Sequence, residues 1–187
     1  MVAAARICRE NNIPLLGICL GMQVQVIEFA RHVLQMADAH SSEFTSTSSF
    51  PVIDLMSDQM DVVDLGGTMR LGAWPAMLDE GSQVAALYGA NVVSERHRHR
   101  YEFNARFRVQ FEEGGLSCSG QSPDGRLVEF VELPSHPYYL GTQAHPEFKS
   151  RPDRAHPLFL GLLQAADTRA REAGRVDVLQ TSVDAVA

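Results

Sequence analysis

Apolar residues gather into short continuous runs near both ends of the chain, with briefer runs and turn signals between them. Ile13-Pro14-Leu15-Leu16-Gly17-Ile18 is a compact apolar run of the kind that forms a buried parallel strand, with proline tolerated near its start. From Leu20 the spacing becomes helical: Met22, Val26, Phe29 and Val33 fall three or four apart, and Ile27 with Leu34 widen the apolar face. Ahead of the strand, an Ala-rich amphipathic opening is interrupted at Asn11-Asn12. Residues 35–51 are polar and Ser/Thr-rich and predict a loop, of a length that goes with function or mobility.

Over 52–75, Gly66-Gly67 and Gly72 read as turn residues between short strands. Gln83 to Tyr88 fits a strand or a short helix equally. Runs at 116–120, 127–133 and 138–144 predict three successive strands. Leu158 to about Ala173 reads as a closing helix, with Pro157 in a first-turn position after His156. Residues 174–187 carry no decisive pattern and read as a loose tail. Strands alternating with helices at both ends of a strand-rich middle predict an α/β domain over residues 1–173 with a mainly parallel central sheet.

The chain has 187 residues, the length of one domain. With 45% apolar and 21% charged residues it is neither collagen-like, coiled-coil nor disordered throughout. Lys and Arg number 16 against 23 Asp and Glu, and the net charge of −7 disfavours nucleic acid bound through bulk charge. No run of about 18 apolar residues is present to span a bilayer. Arg6, Arg9 and Glu10 interrupt the place where a secretory leader needs its apolar stretch. Neither nucleic acid nor membrane is therefore an expected partner. Cys8, Cys19 and Cys118 form an odd, sparse set without C-x-x-C spacing, which fits a reducing cytoplasm.

The sharpest chemical signal is Gly17-Ile18-Cys19-Leu20-Gly21, a G-x-C-x-G between a predicted strand and a predicted helix. It is the cysteine version of the nucleophile elbow, a turn so tight that side chains two positions to either side would collide. Cys19 then sits at a helix N-terminus, where the dipole favours the thiolate. The plainer alternative is a buried cysteine in a glycine-flanked turn. A nucleophile needs a base, and His145 in Gln143-Ala144-His145-Pro146-Glu147-Phe148 is the best candidate. In an extended segment residues two apart share a side, Pro146 stiffens the chain, and Glu147 orients the imidazole as in a triad. The run Arg96-His97-Arg98-His99-Arg100 reads as an anion patch, a His-x-His metal pair or a solvated edge strand; nothing nominates the further ligands, so no metal is expected. Cys8, Cys118, Trp74-Pro75 and Tyr138-Tyr139 read as packing residues.

Gly17-Ile18-Cys19-Leu20-Gly21-Met22-Gln23 together with His145-Pro146-Glu147-Phe148 resembles the class I (triad) glutamine amidotransferases, whose Cys-His-Glu site hydrolyses glutamine to ammonia. With Ile27-Glu28-Phe29-Ala30-Arg31, Ser42-Glu43-Phe44, Gly66-Gly67-Thr68-Met69-Arg70-Leu71-Gly72 and Glu95 to Glu102, the likeness over about residues 1–165 is to the amidotransferase domain of the CTP synthases. The resemblance implies a flavodoxin-like α/β amidotransferase fold with Cys19, His145 and Glu147 as the triad. Cys19 would form a γ-glutamyl thioester, and His145 would protonate departing ammonia and then activate water. The backbone at Leu20, Gly21 and Met22 and the side chain of Gln23 would line the glutamine pocket. Glu43 would meet the substrate α-amino group and Arg100 its α-carboxylate. Arg70 is a candidate contact for GTP, the activator of this family, or else a turn arginine with a structural hydrogen bond.

The resemblance further implies a partner synthetase domain that uses Mg2+ and ATP to aminate UTP to CTP, a homotetramer and a cytoplasmic location, with no cofactor in the amidotransferase part. The family carries a glycine-rich oxyanion strand upstream of the elbow, and this chain begins too near the elbow to hold it. The expectation is a fragment with its first strands missing and little glutaminase activity of its own. A stand-alone glutamine amidohydrolase or γ-glutamyl hydrolase on the same fold is the alternative, and an intact triad opposes a third reading, a non-catalytic binding module.

Overall fold

The computed structural model describes residues 1–55 and 69–174; Gly66, Gly67 and the tail beyond Gly174 lie outside the described residues. Helix α1 (Val2–Glu10) ends at Asn11, and Asn12 takes a left-handed φ of 51°, which asparagine tolerates better than most residues. Strand β1 (Leu15–Ile18) runs into helix α2 (Leu20–His32). The Ser/Thr-rich segment is mostly loop, broken by a short β2 (His40–Ser41) ahead of β3 (Pro51–Asp54). The middle of the chain forms β4 (Arg70–Leu78), α3 (Gln83–Tyr88), β5 (Val92–His99) and β6 (Glu102–Phe103). Helix α4 (Arg108–Glu113), the strands β7 (Ser117–Gln121), β8 (Val128–Glu132) and β9 (Tyr139–Thr142), and α5 (Pro157–Glu172) complete the order.

The domain is α/β, as its sequence pattern predicts, but its main sheet is mixed rather than mainly parallel. The strand order is β1-β9-β8-β7-β4-β5, and within it only β1 and β9 run parallel. The reason is connection length. Residues 122–127 and 133–138 are too few for the helical crossover that a parallel neighbour requires, so β7, β8 and β9 turn back on one another. A second sheet, β2-β3-β6, flanks α2. Gly72, expected in a turn, lies within β4 and keeps a φ of 85° that suits glycine. The ambiguous segment 83–88 is a helix, and its caps explain it: Ser82 accepts from the Ala85 N–H, and Gly89 closes it at a left-handed φ of 64°. Buried Glu132 of β8 also takes the free N–H groups of Gln83 and Val84, at 2.9 and 3.1 Å.

Helix α2 is buried almost all round, which its narrow apolar stripe does not announce. Each polar side chain it buries has a partner: Glu28 takes Arg9 at 2.8 Å, and Gln25 donates to the Leu140 carbonyl at 3.4 Å. The amide oxygen of Gln25 rests against Gly17 and Gly141, which are register partners across β1 and β9. A Cβ on Gly141 would stand 2.6 Å from Gln25 Oε1, 2.9 Å from Val131 Cγ2 and 3.0 Å from Met22 Cγ. All three are side-chain atoms, so the conflict is one of packing. Gly141→Ala should therefore cost about 1–3 kcal/mol of stability. Adding Gln25→Ala should recover part of that loss, and urea melts of the single and double variants measure the coupling.

Candidate active site

Cys19 is the single residue between β1 and α2, and it holds φ 51° and ψ −105°. A non-glycine residue at positive φ marks stored strain, tolerated where the surrounding structure over-determines it. Here the Cys19 N–H donates to the Thr142 carbonyl of β9 at 2.8 Å. Gly17 is required: a Cβ there would collide with Gln25 and stand 2.8 Å from the carbonyl carbon of Gly21. At Gly21 a Cβ would meet open space, so the collision expected on that side of the elbow does not occur.

His145 comes after β9, and Pro146–Phe148 is a 3₁₀ turn rather than the extended segment the sequence suggests. The turn still brings Glu147 Oε1 to 2.6 Å from His145 Nδ1. The His145 N–H donates to the Arg96 carbonyl of β5 at 2.8 Å, and its ring stacks on Phe148 at 5.1 Å. Downstream, Lys149 Nζ and His156 Nε2 meet buried Glu95 Oε1 at 3.0 and 3.1 Å, tying the loop after the histidine to the same strand. With Glu147 accepting at Nδ1, the neutral ring carries its proton there and leaves Nε2 as an acceptor. That Nε2 atom is buried and has no hydrogen-bond partner among the described residues. It is not hydrogen-bonded to the Cys19 thiol in this structure.

The Cys19 thiol departs from expectation. Burial pushes its pKa up, with Glu102 and Glu147 adding to the rise, and outweighs the hydrogen bonds from the Leu20 backbone and the Gln143 side chain that pull it down. The helix terminus is where the sequence places it, but desolvation acts in the opposite direction and is not written in the local pattern. Cys118 is fully buried and pushed up to about 12, and burial raises Cys8 as well, consistent with packing roles. Gln143, which sequence reasoning passed over, is fully buried and donates through Nε2 to Cys19 Sγ at 3.6 Å. Its only sequence signal is its place two residues before His145.

Of the expected substrate residues, Gln23 joins this cluster: its Nε2 donates to the Tyr101 carbonyl at 3.0 Å and to Gln143 Oε1 at 3.2 Å. Leu20 is exposed at the start of α2, Gly21 is half-buried and Met22 is buried, so Met22 offers backbone only. Arg100 is half-buried in the turn between β5 and β6, next to Tyr101. Glu43 is exposed in the loop after β2, with its N–H on Ser41 Oγ at 3.2 Å.

The Arg-His run forms β5, an edge strand, with Arg96 and Arg98 exposed and His97 and His99 buried. No group of three or more metal-ligating side chains occurs among the described residues. The two histidines contact each other, Nδ1 of His97 to Nε2 of His99 at 2.8 Å, beside a buried ion cluster. Arg70 binds Glu129 at 2.7 and 3.3 Å and Glu102 at 3.1 Å, with its guanidinium carbon 5.1 Å from the Trp74 ring. Arg70 is buried among these partners, and its Nε has no hydrogen-bond partner among the described residues. Burial, and then the positive Arg70, push His97 down to about 2 and His99 down to about 3, so both rings are neutral. Burial with Glu129 nearby pushes Glu102 up to about 8 despite Arg70.

A strained cysteine after β1 and a His-Glu pair after β9, two strands that pair in parallel, match the arrangement expected of a triad amidotransferase. The profile of "Glutamine amidotransferase class-I" matches residues 1–165, and the chain belongs to that family. Within it the likeness is to CTP synthases. The enzyme of Leifsonia xyli is 58% identical over 182 residues, 95% of this chain and 32% of that one. The enzyme of Bacillus subtilis is 55% identical over 171 residues, again 32% of its length. The chain thus spans about a third of the CTP synthases it matches. The glutaminase domain of Trypanosoma brucei CTPS, solved with bound acivicin, superposes with a TM-score of 0.83 at 39% identity, over 95% of this chain and 66% of that one.

The buried cluster makes stability depend on pH in two directions. Protonated Glu102 contributes stability that is full below its ordinary 4.5 and is lost as pH rises through about 8. Neutral His97 and His99 contribute stability present above 6.5 and lost as pH falls toward about 2 and 3. Glu102→Gln should therefore melt close to wild type at about pH 6 and above it at about pH 9. Melting curves across that range check this, and a gap that stays constant with pH would exclude a titrating Glu102.

Proposed function

We propose that this chain is the glutamine-hydrolysing part of a CTP synthase, releasing ammonia for the amination of UTP. The observation that carries the reading is the buried Nε2 of His145, without a hydrogen-bond partner among the described residues, whose tautomer Glu147 sets at 2.6 Å, in the loop after the strand that pairs with the one leading to Cys19. Glutamine enters with its α-carboxylate on Arg100, its α-amino group on Glu43, and its side-chain amide over the first turn of α2. Because burial keeps the thiol protonated at rest, His145 Nε2 takes its proton as Sγ attacks the amide carbon. The carbonyl oxygen becomes an oxyanion, and N–H groups of the first helical turn, which have no partner within the helix, stabilise it. The proton passes from Nε2 to the leaving nitrogen, ammonia departs, and a γ-glutamyl thioester remains. His145 then deprotonates water, which attacks the thioester, and Cys19 leaves with the proton as glutamate is released.

The relatives' name supports a synthetase partner domain, and the rest of the reading follows from the resemblance. A synthetase domain working with Mg2+ and ATP would consume the ammonia, the complete enzyme would be a cytoplasmic homotetramer, and GTP would activate it, with Arg70 a candidate contact. Among the described residues no helix is long and apolar enough to cross a membrane.

Acivicin, or a glutamine analogue with an electrophilic side chain, should modify Cys19 and leave Cys8 and Cys118 untouched, as peptide mapping reads directly. In the enzyme joined to its synthetase domain, Cys19→Ala should abolish glutaminase activity. Label on Cys118 with Cys19 unmodified would sink the assignment. In the enzyme joined to its synthetase domain, Arg100→Ala should raise KM for glutamine at least tenfold, on the order of one charge-assisted hydrogen bond. Ammonia-dependent CTP formation should survive, and loss of both activities would make Arg100 structural.

A further inference from the structure

Amide side chains present an oxygen and a nitrogen that look alike in outline, so their orientation is read from the partners they must satisfy. The Tyr101 carbonyl can only accept, which obliges Gln23 to turn its NH2 toward it, at 3.0 Å. The same NH2 lies 3.2 Å from the Gln143 side chain and can only donate there, so Gln143 must present its oxygen to Gln23. Its NH2 is then committed to the opposite side, where Cys19 Sγ lies at 3.6 Å, an ordinary N–H···S separation given the size of sulfur. One backbone carbonyl thus orders two buried amides and aims a donor at the sulfur. Gln143 is held from behind as well, its backbone N–H donating to the Glu129 carbonyl at 2.9 Å.

We propose that Gln143 is a positioning residue for the nucleophile: its side-chain N–H holds the Cys19 sulfur and stabilises the thiolate against the burial that disfavours it. The inference rests on Cys19 being the nucleophile of the reaction proposed above. A donor aimed at sulfur is worth more when the sulfur is negative, so Gln143 favours the state that attacks and the state restored when the thioester breaks. It also keeps Sγ from rotating away while His145 Nε2 has no bond to it. Because the ordering carbonyl belongs to Tyr101, beside the proposed carboxylate clamp Arg100, a substrate that shifts this turn shifts the donor too.

The test is the pH profile of Cys19 alkylation by iodoacetamide, followed on the Cys19 peptide, in wild type and in Gln143→Met, Gln143→Glu and Gln23→Met. The first keeps the length without a donor, the second replaces the donor with an acceptor, and the third frees Gln143 to turn over. All three should move the midpoint to higher pH, the Glu variant furthest, with alkylation near pH 8 slowed about tenfold for a shift of one unit. In the unmodified protein, the side-chain amide resonances of Gln143 should titrate with the alkylation midpoint. Variants that melt like wild type and keep its midpoint would overturn the proposal. Should none of them fold, a Gln143 amide that stays unmoved through the thiol titration overturns it equally. A shifted midpoint in an enzyme joined to its synthetase domain that does not hydrolyse glutamine would leave Gln143 in place and refute the proposed function instead. Glutamine turnover with an unshifted midpoint would do the reverse.

Discussion

The parallel pairing of β1 with β9 is the constraint on which the site depends. In register Ile18 lies opposite Thr142, so both strands end at the same edge of the sheet, and the residues beyond the two ends emerge side by side. Cys19 extends from one strand and the loop carrying His145 from the other. Ligands in α/β folds gather at the carboxyl ends of parallel strands for this reason, and the single parallel pair of the main sheet is where the proposed chemistry sits. Antiparallel pairing would have sent Cys19 and His145 to opposite ends. The pair also permits close seating of α2, because its facing glycines leave room for the amide of Gln25 where any side chain would collide.

The fold also buries several carboxylates, and the groups around them hold each in place. Glu28 is met by Arg9, Glu95 by Lys149 and His156, and Glu129 by Arg70. Such pairs contribute little net stability, since desolvation offsets most of the attraction, but removing one partner strands the other. Their use here is positional. Glu95 fastens the loop after His145 to β5, the strand whose Arg96 carbonyl already holds the histidine backbone. Burial is the main reason Glu102 titrates so high and the neighbouring histidines so low; Arg70, bonded to both carboxylates, opposes the first shift and adds to the second. Through the contact of His99 with the Tyr101 carbonyl at 3.2 Å, this cluster adjoins the carbonyl that orders Gln23 and Gln143.

Much of this was legible in the residues. The elbow, the helix behind it, the His-Glu pair and the closing helix each depend on neighbours within a few positions, and the capped α3 would have been legible too had Ser82 and Gly89 been weighed. Local patterns also set Cys19, at a turn, apart from the packed Cys8 and Cys118. They failed where a residue's meaning lay in its burial. The Arg-His run reads as a charged strand, yet alternate positions face inward and its histidines are uncharged.

By itself, then, the sequence determined the chemical types at the site, the short-range turns that present them and the α/β class, because each is set by steric and hydrogen-bonding preferences of adjacent residues. Tertiary structure alone decided the pairing directions of the sheet, the withdrawal of Arg70 from solvent, the raised pKa of the thiol and the donor that meets it. Those depend on which groups lose water together. Gln23 reaches Tyr101 across 78 positions and Gln143 across 120, and no local pattern records contacts made over such separations.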